Sequence, residues 1–305
     1  MKGLRFYLFG NLRIVRVDQY EEEIAVLPSV QSLLAYLLLH RRRSHRREIL
    51  ASVFWGEHDE ASARRCLNTA LWRLRRELQL DEELGAVQTL ASGELVVAPS
   101  DNCWLDVAAF EEHLAAGLAP HGSEMTSEHI AALEAGVELY TGELLEGFYD
   151  DWVLAERERM RLLYLKALGR LVQVYRRHGS YSRGLEYAHR ILELDPLREQ
   201  IHREVMRLYV KTGHRAAAVQ QYHYCQEVLA EELGIAPMAE TQALYLKILQ
   251  GSAHENGSVP SAENREIKHV LSQLSTAMAS LNEASAQLRH TAQLISELLG
   301  RNEPH

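Results

Sequence analysis

Cysteine is scarce in this sequence. Cys66, Cys103 and Cys225 are the only three in 305 residues, too far apart for a disulfide framework and without metal-ligand spacing. A reducing, cytoplasmic setting is expected. Long apolar runs are missing too: the longest, around Leu33 to Leu39, contains Tyr36 and runs into His40, Arg41, Arg42 and Arg43. A membrane span needs about 18 to 20 apolar residues, so no membrane association is expected. The opening Met1-Lys2-Gly3-Leu4-Arg5-Phe6 alternates instead of following a basic stretch with an apolar one, and no secretory leader is expected. Phosphate-cradling glycine loops, His/Cys/carboxylate clusters and nucleophile elbows are absent as well, so neither a metal, a cofactor nor an enzyme activity is expected. The 15 histidines are scattered singly. His178, His189, His202 and His214 read as surface residues, and Asp150-Asp151, just before Trp152 and a long helix, reads as an N-terminal cap and not as a catalytic pair.

What is present is ordinary globular material: 47% apolar and 25% charged residues, in a length that suggests two compact units and an appended segment. The net charge of −9 is uneven. Residues 1–100 carry 14 basic and 13 acidic side chains, 101–250 carry 15 and 23, and 251–305 carry 4 and 6. Within 40–80 stand ten arginines, no lysine and five acids. Arginine presents a planar fork of donors suited to phosphate oxygens and guanine edges, so this cluster is either a nucleic-acid footprint or a solvated helical face.

Periodicity separates the two. Leu4 to Val17, broken by Gly10-Asn11, reads as a hairpin, and Ile24 to Leu27 as a third strand. Pro28-Ser29 opens a first helix with Leu33, Leu34, Leu37 and Leu38 inward. Ser44 is placed to cap a second, with Ile49, Leu50 and Val53 or Phe54 inward, stopping at Trp55-Gly56. A third follows Asp59, and Val87 to Leu90 with Leu95 to Ala98 flank a Ser92-Gly93 turn. This order describes a winged helix-turn-helix. On the third helix Ala63, Leu67, Ala70, Leu71, Leu74 and Leu78 share one arc of roughly 100°. Opposite lie Ser62, Arg65, Thr69, Trp72, Arg73 and Arg76, flanked by Asn68, Arg64 and Arg75. A solvated helix mixes Glu with Lys for pairing energy, and here only Glu77 interrupts. Arg65, Asn68, Thr69, Trp72, Arg73 and Arg76 are therefore expected to read bases in a major groove, and Arg42, Arg43, Arg46, Arg47 and Arg64 to hold phosphates. Trp72 either faces the groove or lies half-buried against the second helix.

Residues 101–250 read as helix throughout. Leu171, Tyr175, Gly179 and Gly184 recur 34 residues later as Val205, Tyr209, Gly213 and Ala218, which is the tetratricopeptide period; a generic helical bundle is the alternative. Asp195-Pro196 and Ala236-Pro237 sit where helices stop, and shorter helices are expected near Val107 to Ala116 and His129 to Tyr140. Residues 251–264 have linker composition. Beyond them Ile267, Leu271, Leu274, Met278, Leu281, Leu288, Ile295 and Leu299 alternate by four and three, a thin heptad seam within a coiled-coil helix at 265–300. It is expected to make a homo-oligomer, or else to dock on the chain's own repeats or on a partner.

The expected fold class is thus mainly α: a winged helix-turn-helix at 1–100, tetratricopeptide-like helices at 101–250, and the coiled-coil tail. Several runs carry a family resemblance: Leu27-Pro28-Ser29 with Leu34-Ala35-Tyr36; Ala63-Arg64-Arg65 with Leu74-Arg75-Arg76; Trp104-Leu105-Asp106-Val107; Leu139-Tyr140-Thr141-Gly142; Leu194-Asp195-Pro196-Leu197-Arg198; and Glu231-Glu232-Leu233-Gly234. On these, residues 1–250 resemble the SARP-like regulators of the antibiotic-regulatory-protein family, with an OmpR/PhoB-like winged helix-turn-helix and a bacterial transcriptional activator domain. The resemblance implies double-stranded DNA and RNA polymerase as partners, with a recognition helix at about Glu60 to Leu80. One departure is that Gly93 precedes Glu94 where the family has an aromatic, and an acid there opposes phosphate contact by the wing. The competing function is a protein-interaction scaffold whose winged part no longer binds DNA.

Overall fold

The computed structural model describes residues 3–78, 87–97, 102–119 and 125–255. Packing divides the chain into two units, Met1–Ala236 and Pro237–His305. The first opens on β1 (Gly3–Tyr7) and β2 (Arg13–Val17), paired antiparallel with Leu4 and Phe6 buried. Gly10 turns the hairpin at φ +80°, a conformation that costs glycine little. The third strand, β3, is Glu21–Glu23 and not Ile24 to Leu27. Three glutamates are poor strand formers, but each meets an arginine across the sheet: Glu21 with Arg5 (3.0 Å), Glu22 with Arg16 and Glu23 with Arg13 (both 3.4 Å).

Three helices follow: α1 (Pro28–Leu39), α2 (Arg47–Trp55) and α3 (Glu60–Glu77). Leu33 to Leu39 are all buried, so α1 is the centre of this core. Two expectations for α2 are corrected. Ile49 is 54% exposed, because Leu50 and Ala51 take the inward positions, and Ser44 does not cap: Arg46 precedes the helix while the Ser44 hydroxyl donates to Glu94 (2.6 Å). On α3, Asp59 accepts from the Ser62 N–H (3.0 Å), and Ala63, Leu67, Ala70, Leu71 and Leu74 are buried, with Leu78 just beyond. A second hairpin, β4 (Val87–Thr89) and β5 (Leu95–Val97), turns at Gly93 (φ +84°). His45 fastens it to the start of α2 by reciprocal backbone bonds with Leu95 (2.7 and 2.8 Å).

Residues 101–250 are not helix throughout. β6 (Cys103–Leu105) adds parallel to β1, giving the sheet order β3-β2-β1-β6. Three residues are too few to show a period, and the strand is held by its neighbours, with Trp104 edge-on to Tyr7 at 5.3 Å. Then come α4 (Asp106–Leu118), α5 (Ser127–Leu139), α6 (Asp151–Arg177), α7 (Tyr181–Leu194), α8 (Glu199–Lys211) and α9 (Arg215–Leu233). The 34-residue period has a physical form here: Gly179 and Gly213 follow α6 and α8 at φ +74° and +78°, and Gly184 and Ala218 are buried on α7 and α9. Asp150 stands at the N-cap of α6 and Asp151 in its first turn, as expected, although the Asp150 side chain makes no cap bond. His202 is a correction: it is buried between the Pro196 carbonyl (2.8 Å) and the Gln221 amide (2.7 Å). The second unit contains α10 (Ala239–Glu255), so the linker expected from residue 251 is helical as far as 255, a further correction. Ile267 to Leu299 lie outside the described residues.

The stretch from residue 102 onward is packed against the N-terminal elements of the same unit. The Asp106 carboxylate accepts from the N–H groups of Leu8 (2.7 Å) and Phe9 (2.9 Å). The loop before α6 pairs with residues 8–10 through Leu145 N–H to Leu8 (2.8 Å), Glu146 N–H to Gly10 (2.8 Å) and Gly10 N–H to Glu143 (2.7 Å). Arg157 pins that loop by donating to the carbonyls of Leu144, Leu145 and Phe148, which holds Leu145 at φ +52°. Trp152 stands edge-on to Tyr36 at 5.2 Å, and Glu111 bridges Arg41 (2.6 Å) and Arg159 (2.8 Å).

Candidate nucleic-acid interface

The apolar stripe of α3 fixes which of its residues face away from the core. Arg65, Asn68, Thr69, Trp72 and Arg76 are exposed and Arg73 is half-buried. Trp72 is 56% exposed, so its indole is not half-buried on α2; it carries the Arg76 guanidinium 5.1 Å from its ring centre. Arg65 donates to the Ser62 hydroxyl (2.7 Å), and the Thr69 hydroxyl donates to the Arg65 carbonyl (2.9 Å). Arg73 and Arg75 make no ion pair or hydrogen bond among the described residues. Asp59, at the head of the helix, is held below the usual carboxylate range by hydrogen bonds from Ser62 and stays an anion there.

The remaining arginines divide by what they touch. Arg64 is paired with Glu60 (2.8 Å) and Glu48 (3.6 Å), so part of its charge is offset. Arg42 is exposed, 4.0 Å from Glu111. Arg43 donates to the Tyr36 hydroxyl (3.0 Å), and Arg46 lies 3.6 Å from Glu94. Arg47 is engaged on three sides: it donates to Asn68 on α3 (2.9 Å), to Thr89 on β4 (3.1 Å) and to the Gly93 carbonyl at the hairpin turn (3.1 Å). It therefore ties α2, α3 and the β4–β5 hairpin together. Nothing in the linear sequence distinguishes it from its neighbour Arg46. Glu94 is occupied too, by Ser44 and Arg46, which turns its charge toward the start of α2.

No helix among the described residues is long and apolar enough to cross a membrane. Among them no cluster of His, Cys, Asp or Glu is placed to hold a metal ion.

Residues 105–249 match the bacterial transcriptional activator domain family. That match covers just under half of the chain, and with the relatives that follow it makes the chain similar to the SARP-like activators. Regulatory protein AfsR of Streptomyces coelicolor is 27% identical over 301 residues, which is 96% of this chain but 29% of AfsR. Transcriptional regulatory protein MoaR1 of Mycobacterium tuberculosis is 28% identical over 233 residues, 73% of this chain and 72% of its own length. Among solved structures, Mycobacterium tuberculosis EmbR in complex with a low affinity phosphopeptide shares the fold, with a TM-score of 0.65 at 20% identity over 92% of this chain and 72% of that one.

Proposed function

We propose that the protein is a sequence-specific DNA-binding transcriptional activator. In this reading α2 and α3 form the helix-turn-helix, α3 enters the major groove, and β4–β5 is the wing. The observation that carries it is the α3 face: Arg65, Arg73 and Arg76 with Asn68 and Thr69 stand opposite a fully buried apolar stripe. Guanidinium and amide groups at that spacing suit base edges. Arg42, Arg43, Arg46 and Arg64 flank them as phosphate contacts, whereas Arg47 acts by positioning, since its donors already hold α3 against the wing. The helical part contacts the transcription machinery, with RNA polymerase as the partner, and the seam from Ile267 to Leu299 holds two or more chains together. The regulatory names of AfsR and MoaR1 support the reading.

The test begins with genomic fragments selected by the full chain. Arg65→Ala or Arg73→Ala should cost about 1 to 3 kcal/mol on the selected site and less on random duplex. Equal losses on both would make these residues phosphate contacts. Unchanged affinity on both would remove α3 from the interface.

A further inference from the structure

The net excess of acids over residues 101–250 conceals a sharp division. Residues 101–156 contain 13 acids and neither lysine nor arginine, while 157–215 contain 14 basic residues against six acids. Most of those cations are paired nearby, as Arg190 is with Glu138 (2.7 Å) and Arg198 with Asp195 (2.7 Å). The residue of positive charge collects on two helices. On α6, Lys166, Gln173 and Arg177 are exposed and stand at i, i+7 and i+11, which places them within an arc of about 40°. On α8, Gln200, Arg207 and Lys211 are exposed at the same spacing, shifted by the 34-residue repeat. Lys166, Arg177 and Lys211 have no ion pair among the described residues.

The two stripes belong to one face. Arg176 of α6 reaches Glu204 of α8 at 3.2 Å, and Arg207 meets the same carboxylate at 3.3 Å. The exposed arcs run outward from that contact, away from the buried Val172 on one helix and Leu208 on the other. One acid shared by two arginines leaves the face with a clear positive excess. Each stripe is 11 residues of helix long, about 16 Å, which matches about five residues of extended chain.

We infer that this α6–α8 face is a docking surface for an acidic segment of a protein partner. Spaced carboxylates meet Lys166, Arg177, Arg207 and Lys211, and the amides of Gln173 and Gln200 are free to bond the partner's peptide groups. A continuous polyphosphate fits less well, because Glu204 sits in the middle of the face. The inference stands apart from the α3 reading, since different residues carry each.

The chain's lysines make it testable directly. There are five, and Lys166 and Lys211 are two of them. A fluorescein-labelled 12-residue peptide of alternating Glu and Ser would be titrated against the full chain by anisotropy, with a Lys-Ser peptide of equal length as control, and then coupled with carbodiimide and mapped by mass spectrometry. The Glu peptide should bind in a salt-sensitive way, the Lys peptide should not, and the cross-links should fall on Lys166 and Lys211 and not on Lys247. K166E/K211E should weaken binding tenfold or more, and K166Q/K211Q by a smaller factor, with thermal melting as the check that both stay folded. Arg73→Ala and Arg76→Ala should change peptide binding less than twofold while reducing DNA binding. Cross-links elsewhere, or peptide binding lost through the α3 substitutions, would overturn the assignment. DNA affinity, and not peptide affinity, falling with K166E/K211E would make the face a nucleic-acid contact and refute it equally.

Discussion

His202 shows how far a single side chain departs from what its neighbours in sequence suggest. Set among Glu199, Arg203 and Glu204 it reads as a surface residue, yet the fold turns it inward and satisfies both ring nitrogens. Burial lowers its pKa below 6.5, against the opposite pull of the Pro196 carbonyl; His40 and His45 are lowered by burial as well. A histidine whose folded pKa is depressed contributes stability that is complete above about pH 6.5 and is lost as pH falls from there through the folded pKa. Asp106 runs the other way. Burial raises its carboxyl to about 6, so its contribution is complete at low pH and declines as pH rises toward and through that value. The two partly offset between pH 5 and 6.5, and a substitution separates them: the full chain should melt lower at pH 5.5 than at 7.5, and His202→Gln should narrow that difference. Calorimetric melting at the two values measures it, and an unaltered difference in the variant would mean that His202 titrates in the fold as it does in the unfolded chain.

At the scale of elements, what was legible in the sequence is what repeats. The apolar stripe of α3, the length of α6 and the 34-residue period all follow from side chains recurring at helical spacing over many residues, so no partner is needed to see them. The misplaced elements are short. β3 forms from glutamates only because Arg5, Arg13 and Arg16 are already presented by the hairpin, and β6 has three residues and a partner strand about 100 positions earlier. For the candidate site the residue types were legible and the division of labour was not: Arg47 differs from Arg46 through Asn68, Thr89 and Gly93, which lie 21, 42 and 46 residues on. The packing of α4 on α5 was equally invisible. A Cβ on Gly117 would stand 2.5 Å from the Leu133 side chain, and one on Gly136 would run into Leu114. Helix propensity favours Ala over Gly by about 1 kcal/mol, and overpacking at a closed contact costs about 1 to 3 kcal/mol, so the sign depends on the space. Gly136→Ala should destabilise the protein by about 1 kcal/mol or more. Gly169→Ala in α6, where a Cβ meets nothing within 4 Å, should leave it unchanged or stabilise it by up to about 1 kcal/mol. Urea unfolding of both variants decides, and equal effects would show that α4 and α5 separate readily.

At the scale of the whole molecule, composition and motif order suggest a boundary near residue 100, but the contacts of the first unit cross it. The sheet takes its fourth strand from residues 103–105, and among the described residues the Leu8 and Phe9 amides are satisfied by Asp106. Tyr36 is covered by Trp152, and Arg41 by Glu111. A buried donor left unpaired costs about 1 to 3 kcal/mol, and a domain has only about 5 to 15 kcal/mol in all. Losing two such donors, an edge strand and an aromatic cover removes a large part of that. A fragment ending at residue 100 should therefore show no cooperative melting and bind the selected DNA site far more weakly than the full chain. A fragment of residues 1–255, which keeps every one of these contacts, should melt in a transition that includes both the N-terminal and the helical parts. Since it lacks the heptad seam, light scattering should find it mostly monomeric where the full chain is larger, and it should keep affinity for one copy of the selected site while gaining less than the full chain does from a second copy on the same duplex. Should the 100-residue fragment melt cooperatively and bind as the 1–255 fragment does, the contacts across residue 100 would be packing without thermodynamic weight. DNA binding and the helical repeats would then be separable, and a signal received on α6 and α8 would have no rigid path to α3.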